Sequence, residues 1–220
     1  MKKFLTLTTA IFVLFSSTAN AEGIKTDAAA KPKFPVVGES APEITAKDIK
    51  GNDFSLAAQK GKLVVLEWTN PECPFVKKHY ESNNMQTIQK KYTEAVNDKN
   101  EKQIVWVSIL SSARGKQGYQ SSDKEAQKTF EEQKSKADHI ILDAEGIIGK
   151  TYGAKTTPHM FVVDKEGKLA YAGAIDSIAS ADSMDVEKAE NYVAKALDEL
   201  IAGKKITTPV TDPYGCSVKY

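Results

Sequence analysis

The chain has 220 residues, of which 30 are basic and 29 acidic, so its formal net charge at pH 7 is only +1. This balance argues against nucleic-acid binding, which needs a strongly basic surface. The two cysteines form an even count, which by itself is weak evidence for a disulfide bond.

The N-terminal segment has the pattern of a secretory signal peptide. Two lysines precede an apolar stretch from Leu5 to Phe15, and the tripeptide Ala-Asn-Ala follows at 19–21. The apolar stretch is too short for a stable membrane anchor. We expect residues 1–21 to be removed, which leaves a periplasmic or secreted chain from about Glu22 with no stable membrane insertion.

Residues 22–35 are predicted to form a linker, because they are small, charged and proline-bearing and lack an apolar period. The folded domain is expected to span residues 36–203. It begins with a strand at Ile44 to Ala46 and a turn into a short return strand within "DIKGNDFSL". The apolar run "KLVVLEWT" then indicates a strand that is buried on both faces.

A helix is predicted to begin at Pro74, directly after Cys73, since proline is favoured in the first helical turn. Its apolar face continues to about Val96, and Asn83-Asn84 is a candidate interruption. The segment "QIVWVSIL" indicates the next buried strand.

The next helix has a clear start signal. Ser122 and Glu125 form a capping box, which predicts a helix from Asp123 to about Lys136. A strand "HIILD" and a short helix "GIIGKTYGA" ending at Gly153 follow.

The end of the domain is predicted to hold a hairpin and one more helix. The hairpin joins "HMFVVD" and "KLAYAGA". The final helix is closed by Gly203, and its apolar positions are Val186, Ala189, Val193, Leu197 and Ile201. Residues 204–220, which carry Cys216, have no apolar period and are interpreted as a tail without a role in the core.

The resulting order is β-α-β-α-β-β-α after a β-rich entry. Alternation of strands and helices implies parallel pairing, and the late hairpin implies antiparallel strands at one edge. The sequence therefore predicts an α/β fold with a central mixed sheet flanked by helices, an N-terminal β extension and a C-terminal tail.

Cys73 lies at a strand-to-helix corner, where a thiol can become reactive. The N-terminus of a helix presents unpaired N–H groups and a partial positive charge, which favour a thiolate. The alternative is a buried, inert cysteine, since free cysteines are among the most buried residues.

These motifs together resemble the thioredoxin fold and the redoxin branch that includes alkyl hydroperoxide reductase-like proteins. The motifs are "LEWTNPECPF" around the cysteine, "YGAKTTPHMFVVDKEGKLAYAGAID", the entry "VGESAPEITAKDIKGNDFSL" and the ending "PYGCSVKY". The resemblance covers roughly residues 36–220. It implies a thioredoxin-like fold and thiol-dependent oxidoreductase chemistry with no cofactor.

The resemblance assigns a role to Thr157 and Pro158. It implies that the Thr157–Pro158 bond is cis and faces Cys73. It also implies that the backbone edge before the proline is free to pair with an extended substrate, which Thr157 would contact. The alternative is an ordinary trans proline at the start of an edge strand.

Cys216 is a candidate resolving thiol, because a mobile tail can carry it to an oxidised Cys73. The alternative is a static disulfide that closes a long loop and stabilises the fold. About a dozen residues separate Gly203 from Cys216, and at about 3.3 Å each they span roughly 40 Å. Pairing within one chain is therefore possible.

Three functions remain open at this point. The first is disulfide exchange with a partner protein or a small thiol, and the second is reduction of a hydroperoxide. Thioredoxins have a second cysteine where this chain has Val76, and peroxiredoxins have threonine or serine where it has Asn70. The third is non-enzymatic metal or partner binding with a structural disulfide.

Two histidines near these motifs have weaker interpretations. His159 follows the proline, and with Cys73 and Cys216 it could form a copper site, although three such ligands match the known patterns poorly. His79 is interpreted as a polar residue of the helix that follows Cys73.

Overall fold

The computed structural model describes Met1, residues 34–97 and residues 99–220. The predicted signal peptide, apart from Met1, and the predicted linker, apart from residues 34 and 35, lie outside these residues. Among the helices that are described, none combines the length and apolar character needed to cross a membrane.

Nine strands and five α-helices are present in the described residues. The strands are β1 Thr45–Lys47, β2 Asp53–Ser55, β3 Leu63–Trp68, β4 Ile104–Leu110, β5 His139–Leu142, β6 Thr156–Thr157, β7 His159–Val163, β8 Leu169–Gly173 and β9 Cys216–Ser217. The helices are α1 Pro74–Glu81, α2 Asn84–Thr93, α3 Asp123–Glu132, α4 Ile147–Tyr152 and α5 Tyr192–Ile201. Short 3-10 turns occupy Ala57–Gln59 and Ser183–Lys188.

Five strands form the central sheet in the spatial order β5-β4-β3-β7-β8. The pairs β3–β4 and β4–β5 are parallel, whereas β7 is antiparallel to both β3 and β8. Strands β3 and β4 are buried at every position, as their continuous apolar runs predicted. The predicted mixed sheet and its thioredoxin-like arrangement are confirmed.

The two faces of the sheet bury separate apolar clusters. On one face, α1, α2 and α5 cover the cluster that contains Cys73, Trp106 and Tyr171. On the other face, α4 and the β1–β2 hairpin cover the cluster that contains Trp68 and Phe161. Cys73, which directly precedes α1, therefore belongs to the first of these two clusters.

Local backbone geometry confirms two predicted helix boundaries and contradicts a third. The helix predicted from Pro74 breaks at Asn83, whose φ of 59° takes the chain out of the helical conformation. The Ser122 hydroxyl accepts a hydrogen bond from the Glu125 N–H, as the capping box predicted, but the Glu125 carboxylate bonds to Ser121 instead. Helix α3 ends earlier than predicted, at Glu132, and Lys134 has a φ of 54°.

The predicted start of the final helix was wrong. Val186 and Ala189 lie in or beside the 3-10 turn, and α5 begins only at Tyr192. The Asn191 side chain accepts from the Ala194 N–H and caps the helix there. Gly203 follows the last turn with a φ of 68°, as predicted.

The expectation that residues 204–220 have no role in the core was also wrong, because Ile206, Tyr214 and Cys216 pack against the apolar cluster that contains Cys73. The Ala172 N–H donates to the Pro209 carbonyl at 3.1 Å, and the Thr211 N–H donates back to Ala172 at 3.2 Å. Farther on, β9 pairs with β6. The tail therefore runs along β8 and returns to the strand-to-helix corner that carries Cys73.

Candidate functional site

Cys73 caps the N-terminus of α1. Its carbonyl accepts from the N–H groups of Val76 and Lys77 at 3.0 and 2.9 Å, and Pro74 occupies the first helical position. Its own N–H donates to Asn70, which tightens the turn after β3. The side chain has no exposed surface, so the predicted thiol at the helix start is present but covered.

Thr157 and Pro158 lie against Cys73. The bond between them is cis, as the resemblance implied. The Cys73 Sγ donates to the Thr157 carbonyl oxygen at 3.1 Å, although the two residues are 84 positions apart in the chain. Both Thr157 and Pro158 are buried.

Cys216 completes the cluster. Strand β9 is antiparallel to β6, and Cys216 is the register partner of Thr157. The Cys216 side chain shares a hydrogen bond with that of Cys73, and both cysteines are free thiols. Cys216 is partly exposed, whereas Cys73 is not. The fold thus brings together all four residues singled out in the sequence.

The two thiols have opposite pKa shifts. Burial raises the pKa of Cys73, but hydrogen bonds from Cys216, the Thr157 side chain and the Val76 N–H outweigh it, so the pKa falls below its ordinary value. The Thr157 carbonyl acts against this shift, because an acceptor for the thiol hydrogen favours the protonated form. Burial raises the pKa of Cys216 to about 11, assisted by its hydrogen bond to Cys73.

The expectation of a free pairing edge at Thr157 was wrong, because the chain's own tail occupies it. A side chain at Gly215 would place its Cβ 2.1 Å from the Thr157 carbonyl oxygen, and Gly215 has a φ of 130°. Only glycine allows this approach at this conformation. The contact therefore needs glycine directly before Cys216.

Both histidines are buried. Burial lowers the pKa of His159 to about 3, and its Nδ1 accepts from the Lys155 N–H at 3.2 Å. Within the described residues, no group of three or more His, Cys, Asp or Glu side chains could hold a metal ion. His79 is a helix residue as predicted, but it is fully buried.

Three polar residues near the site were missed in the sequence. Tyr214 donates to Asp176, and Lys78 contacts both of them from α1. A lysine inside an amphipathic helix is normally interpreted as solvent-exposed. The one visible hint was the aromatic residue two positions before Cys216, in a segment that lacks any apolar period.

Comparison with known proteins gave a family match and several structural matches. The model described as the AhpC/TSA family matches residues 37–172. An uncharacterized conserved protein from Geobacillus kaustophilus has a TM-score of 0.66 at 23% identity, over 86% of this chain and 93% of its own. A hypothetical protein from Sinorhizobium meliloti 1021 has a TM-score of 0.66 at 21% identity, over 86% and 96%.

A candidate protein disulfide isomerase from Bacteroides thetaiotaomicron is more distant, with a TM-score of 0.53 at 15% identity over 76% of this chain and 91% of its own. At such identities these likenesses show the fold alone. No curated protein matches the chain. The family match spans well over half of the sequence and includes Cys73, Thr157 and Pro158. The chain therefore belongs to the AhpC/TSA family.

Proposed function

We propose that this protein is a thiol–disulfide oxidoreductase in which Cys73 is the attacking thiolate and Cys216 the resolving thiol. The observation that supports this best is the contact of two free thiols whose pKa values are shifted in opposite directions. The lower pKa suits Cys73 for attack, because the thiolate is the nucleophile. The higher pKa keeps Cys216 protonated until Cys73 is oxidised.

In disulfide exchange, the Cys73 thiolate attacks one sulfur of the substrate disulfide and displaces the other as a thiolate. Cys216 then loses its proton and attacks the Cys73 sulfur, which releases the second substrate thiolate. The substrate gains two electrons, and the protein is left with a Cys73–Cys216 disulfide. An external dithiol must reduce this bridge before the next turnover.

Thr157 and Pro158 are proposed to line this site beside the Cys73 sulfur. The Thr157 carbonyl contacts the Cys73 sulfur, and the Thr157 hydroxyl lies 3.5 Å from the Cys216 carbonyl. Together they keep the sulfur in place against β9. A protein substrate would need this edge, so the tail must leave before a protein can bind there.

Peroxide reduction is the second candidate, and the burial of Cys73 favours it. A hydroperoxide is small and does not need the edge that β9 occupies. The thiolate would attack the peroxide, break the O–O bond and release an alcohol or water, which leaves a sulfenic acid on Cys73. Cys216 would then condense with the sulfenic acid, forming the same disulfide and one water.

The proposed compartment and chain organisation agree with this chemistry. We propose that the protein is exported, with a domain at residues 36–203 and a tail at residues 204–220. Reversible disulfides form most readily in oxidising compartments. A partner protein or small thiol there would supply the reducing electrons.

The test maps both thiols under non-reducing conditions. The reduced protein is mixed with one equivalent of peroxide or of a small disulfide, and its cysteines are then identified by alkylation and peptide mass. A Cys73–Cys216 bridge that forms with either oxidant and is cleaved by a dithiol supports the proposal. The non-enzymatic alternative is favoured if neither oxidant forms the bridge, or if a dithiol does not cleave it. Metal bound to the cysteines would favour that alternative as well.

A further inference from the structure

A cluster of buried charged residues lies beneath the tail, outside the pair of cysteines. Lys78 Nζ is 3.3 Å from Asp176 Oδ2 and 2.9 Å from the Ile178 carbonyl oxygen. The two side chains are 0% and 2% exposed. Removing such a pair from water costs about as much as its attraction returns, so stability alone does not explain it.

The tail contributes one group to this cluster, the Tyr214 hydroxyl. It donates to Asp176 Oδ1. Lys78 Nζ and His79 Nε2 each lie 3.4 Å from the hydroxyl oxygen. The Asn84 amide nitrogen lies 2.8 Å from His79 Nδ1, so the hydrogen of the neutral ring is on Nε2 and faces Tyr214.

A tyrosine hydroxyl has one hydrogen to donate and two lone pairs to accept with. Asp176 receives the hydrogen, and Lys78 and His79 face the lone pairs. The Tyr214 ring also packs edge-on against Phe75, with ring centroids 5.9 Å apart. The cluster therefore offers a phenol hydroxyl one charged acceptor for its hydrogen and two donors for its two lone pairs.

The position of Tyr214 connects this cluster to the reaction. Gly215 follows it and touches the Thr157 carbonyl, and Cys216 comes next, against Cys73. Only Gly215 separates Tyr214 from Cys216, and one residue is too few to absorb a large movement, so the place of Tyr214 decides the place of the Cys216 sulfur. Phe75 lies on the first turn of α1, next to Cys73 and Pro74.

We propose that Tyr214 is a positioning residue, a latch that docks the tail through Asp176, Lys78 and His79 and so holds Cys216 against Cys73. This inference rests on the proposed function. With the latch closed, Cys216 is delivered at high effective concentration and Cys73 is covered. With the latch open, the tail leaves the Thr157 edge, and Cys73 becomes accessible to larger substrates.

The size of the effect follows from the type of hydrogen bond. A hydrogen bond to a charged group stabilises a docked state by about tenfold to a hundredfold. Losing the latch lets the reduced tail leave the Thr157 edge, which lowers the effective concentration of the second thiol and weakens the bridge by up to the same factor. For a two-electron couple, this range corresponds to about 30–60 mV.

The test compares Tyr214→Phe with a matched control, Tyr92→Phe. Tyr214→Phe removes the hydroxyl and keeps the ring that packs on Phe75. Tyr92 is also a buried tyrosine whose hydroxyl donates to an aspartate, Asp198 at 2.9 Å, with Lys91 at 2.9 Å, but it lies between α2 and α5. Each variant is equilibrated with graded ratios of reduced and oxidised dithiothreitol, and the bridged fraction is measured by alkylation and mass.

We expect the Tyr214→Phe bridge to be about tenfold to a hundredfold less stable than that of the wild type. The Tyr92→Phe bridge should keep the wild-type potential even though its unfolding midpoint falls. In a Cys216→Ser background, Tyr214→Phe should also raise the alkylation rate of Cys73 by about the same factor, since reagent reaches the sulfur only after the tail opens.

Two results would overturn the inference in distinguishable ways. If Tyr214→Phe and Tyr92→Phe both keep the wild-type potential and the wild-type exposure of Cys73, Tyr214 is merely structural while the proposed function stands. If the wild-type protein itself never forms the Cys73–Cys216 bridge, the proposed function fails and the latch fails with it.

Discussion

At the scale of single residues, the two thiols differ in how strongly they hold a proton, although they lie against each other. Burial acts on both, but Cys73 also receives hydrogen bonds that favour its thiolate, including one from Cys216. Cys216 holds its proton because burial disfavours its charged form, and because a neighbouring thiolate penalises a second negative charge. This difference in pKa suits an attacking thiol, which must be a thiolate, and a resolving thiol, which stays protonated until it is needed.

The hydrogen bond from position 216 can be tested with two substitutions. Cys216→Ser retains a donor, so the pKa of Cys73 should stay below the ordinary thiol value of 9.0. Cys216→Ala removes the donor while Cys73 stays buried, so its pKa should be higher than in Cys216→Ser. The alkylation rate of Cys73 should rise through the folded-state pKa as the pH increases, and the two midpoints give the comparison. Equal midpoints would argue against the hydrogen bond.

Cys216→Ser also separates a resolving thiol from a static staple. With a resolving role, the first step proceeds but turnover stalls, and Cys73 accumulates as a sulfenic acid or a mixed disulfide. Mass spectrometry of the quenched reaction detects either species. A static staple predicts a wild-type turnover rate with a lower unfolding midpoint, because the cross-link then acts on the unfolded chain.

At the scale of elements, the site is built where two short strands meet the start of a helix. Strand β6 holds Thr157 against the Cys73 sulfur, and β9 adds Cys216 as a second strand on the same edge. Each strand has only two residues, so pairing alone holds the tail weakly. The contacts on either side, Thr211 with Tyr171 and Tyr220 with Ala154, support the register.

Gly215→Ala should disturb this register, and Gly203→Ala provides the control. Both glycines have a positive φ, so each substitution should cost about 1–2 kcal/mol through backbone strain alone. A Cβ at Gly203 meets nothing within 4 Å, whereas one at Gly215 overlaps the Thr157 carbonyl. Only Gly215→Ala should slow formation of the Cys73–Cys216 bridge, by about tenfold to a hundredfold.

Bridge formation after a pulse of oxidant, followed by rapid acid quenching, measures this difference. If both variants form the bridge at the wild-type rate, the close approach of Gly215 to Thr157 is not needed for resolution. If both slow it equally, the backbone strain that the two glycine positions share is the cause, and not the contact of Gly215 with Thr157.

At the scale of the whole molecule, one buried carboxylate joins the sheet to the helices behind the site. Glu67 on β3 is fully buried, and four side chains donate to its two oxygens. These donors come from α1, α2 and β4, and they are Tyr80, Gln89, Trp106 and Ser108. Burial raises the pKa of Glu67, and the four hydrogen bonds act in the opposite direction.

Glu67→Leu should therefore destabilise the fold by about 3 kcal/mol or more, because it leaves buried donors such as the Trp106 indole without an acceptor. Glu43→Leu is the control, since Glu43 accepts from Ser55 and Ala57 at an exposed position. Its cost should stay below about 1 kcal/mol. Urea unfolding followed by tryptophan fluorescence measures both, and equal losses would contradict the proposed role of Glu67 as a junction.

The sequence by itself determined the order of elements and the corner that carries Cys73. Continuous apolar runs predicted β3 and β4, the Ser122 capping box predicted the start of α3, and Pro74 marked the start of α1. These signals are short-range, because an apolar run and a helix-capping pattern are each contained within a few consecutive residues. Resemblance added the cis bond before Pro158.

Only the tertiary structure decided how the tail is used. The contacts of Lys78 with Asp176 and with Tyr214 join residues 98 and 136 positions apart, and no local pattern encodes such pairs. The tail lacks an apolar period because it is held by hydrogen bonds, single aromatic contacts and a strand edge rather than by a continuous buried face. For the same reason, only the pairing of β6 with β9 in the fold shows that Cys216 covers Cys73.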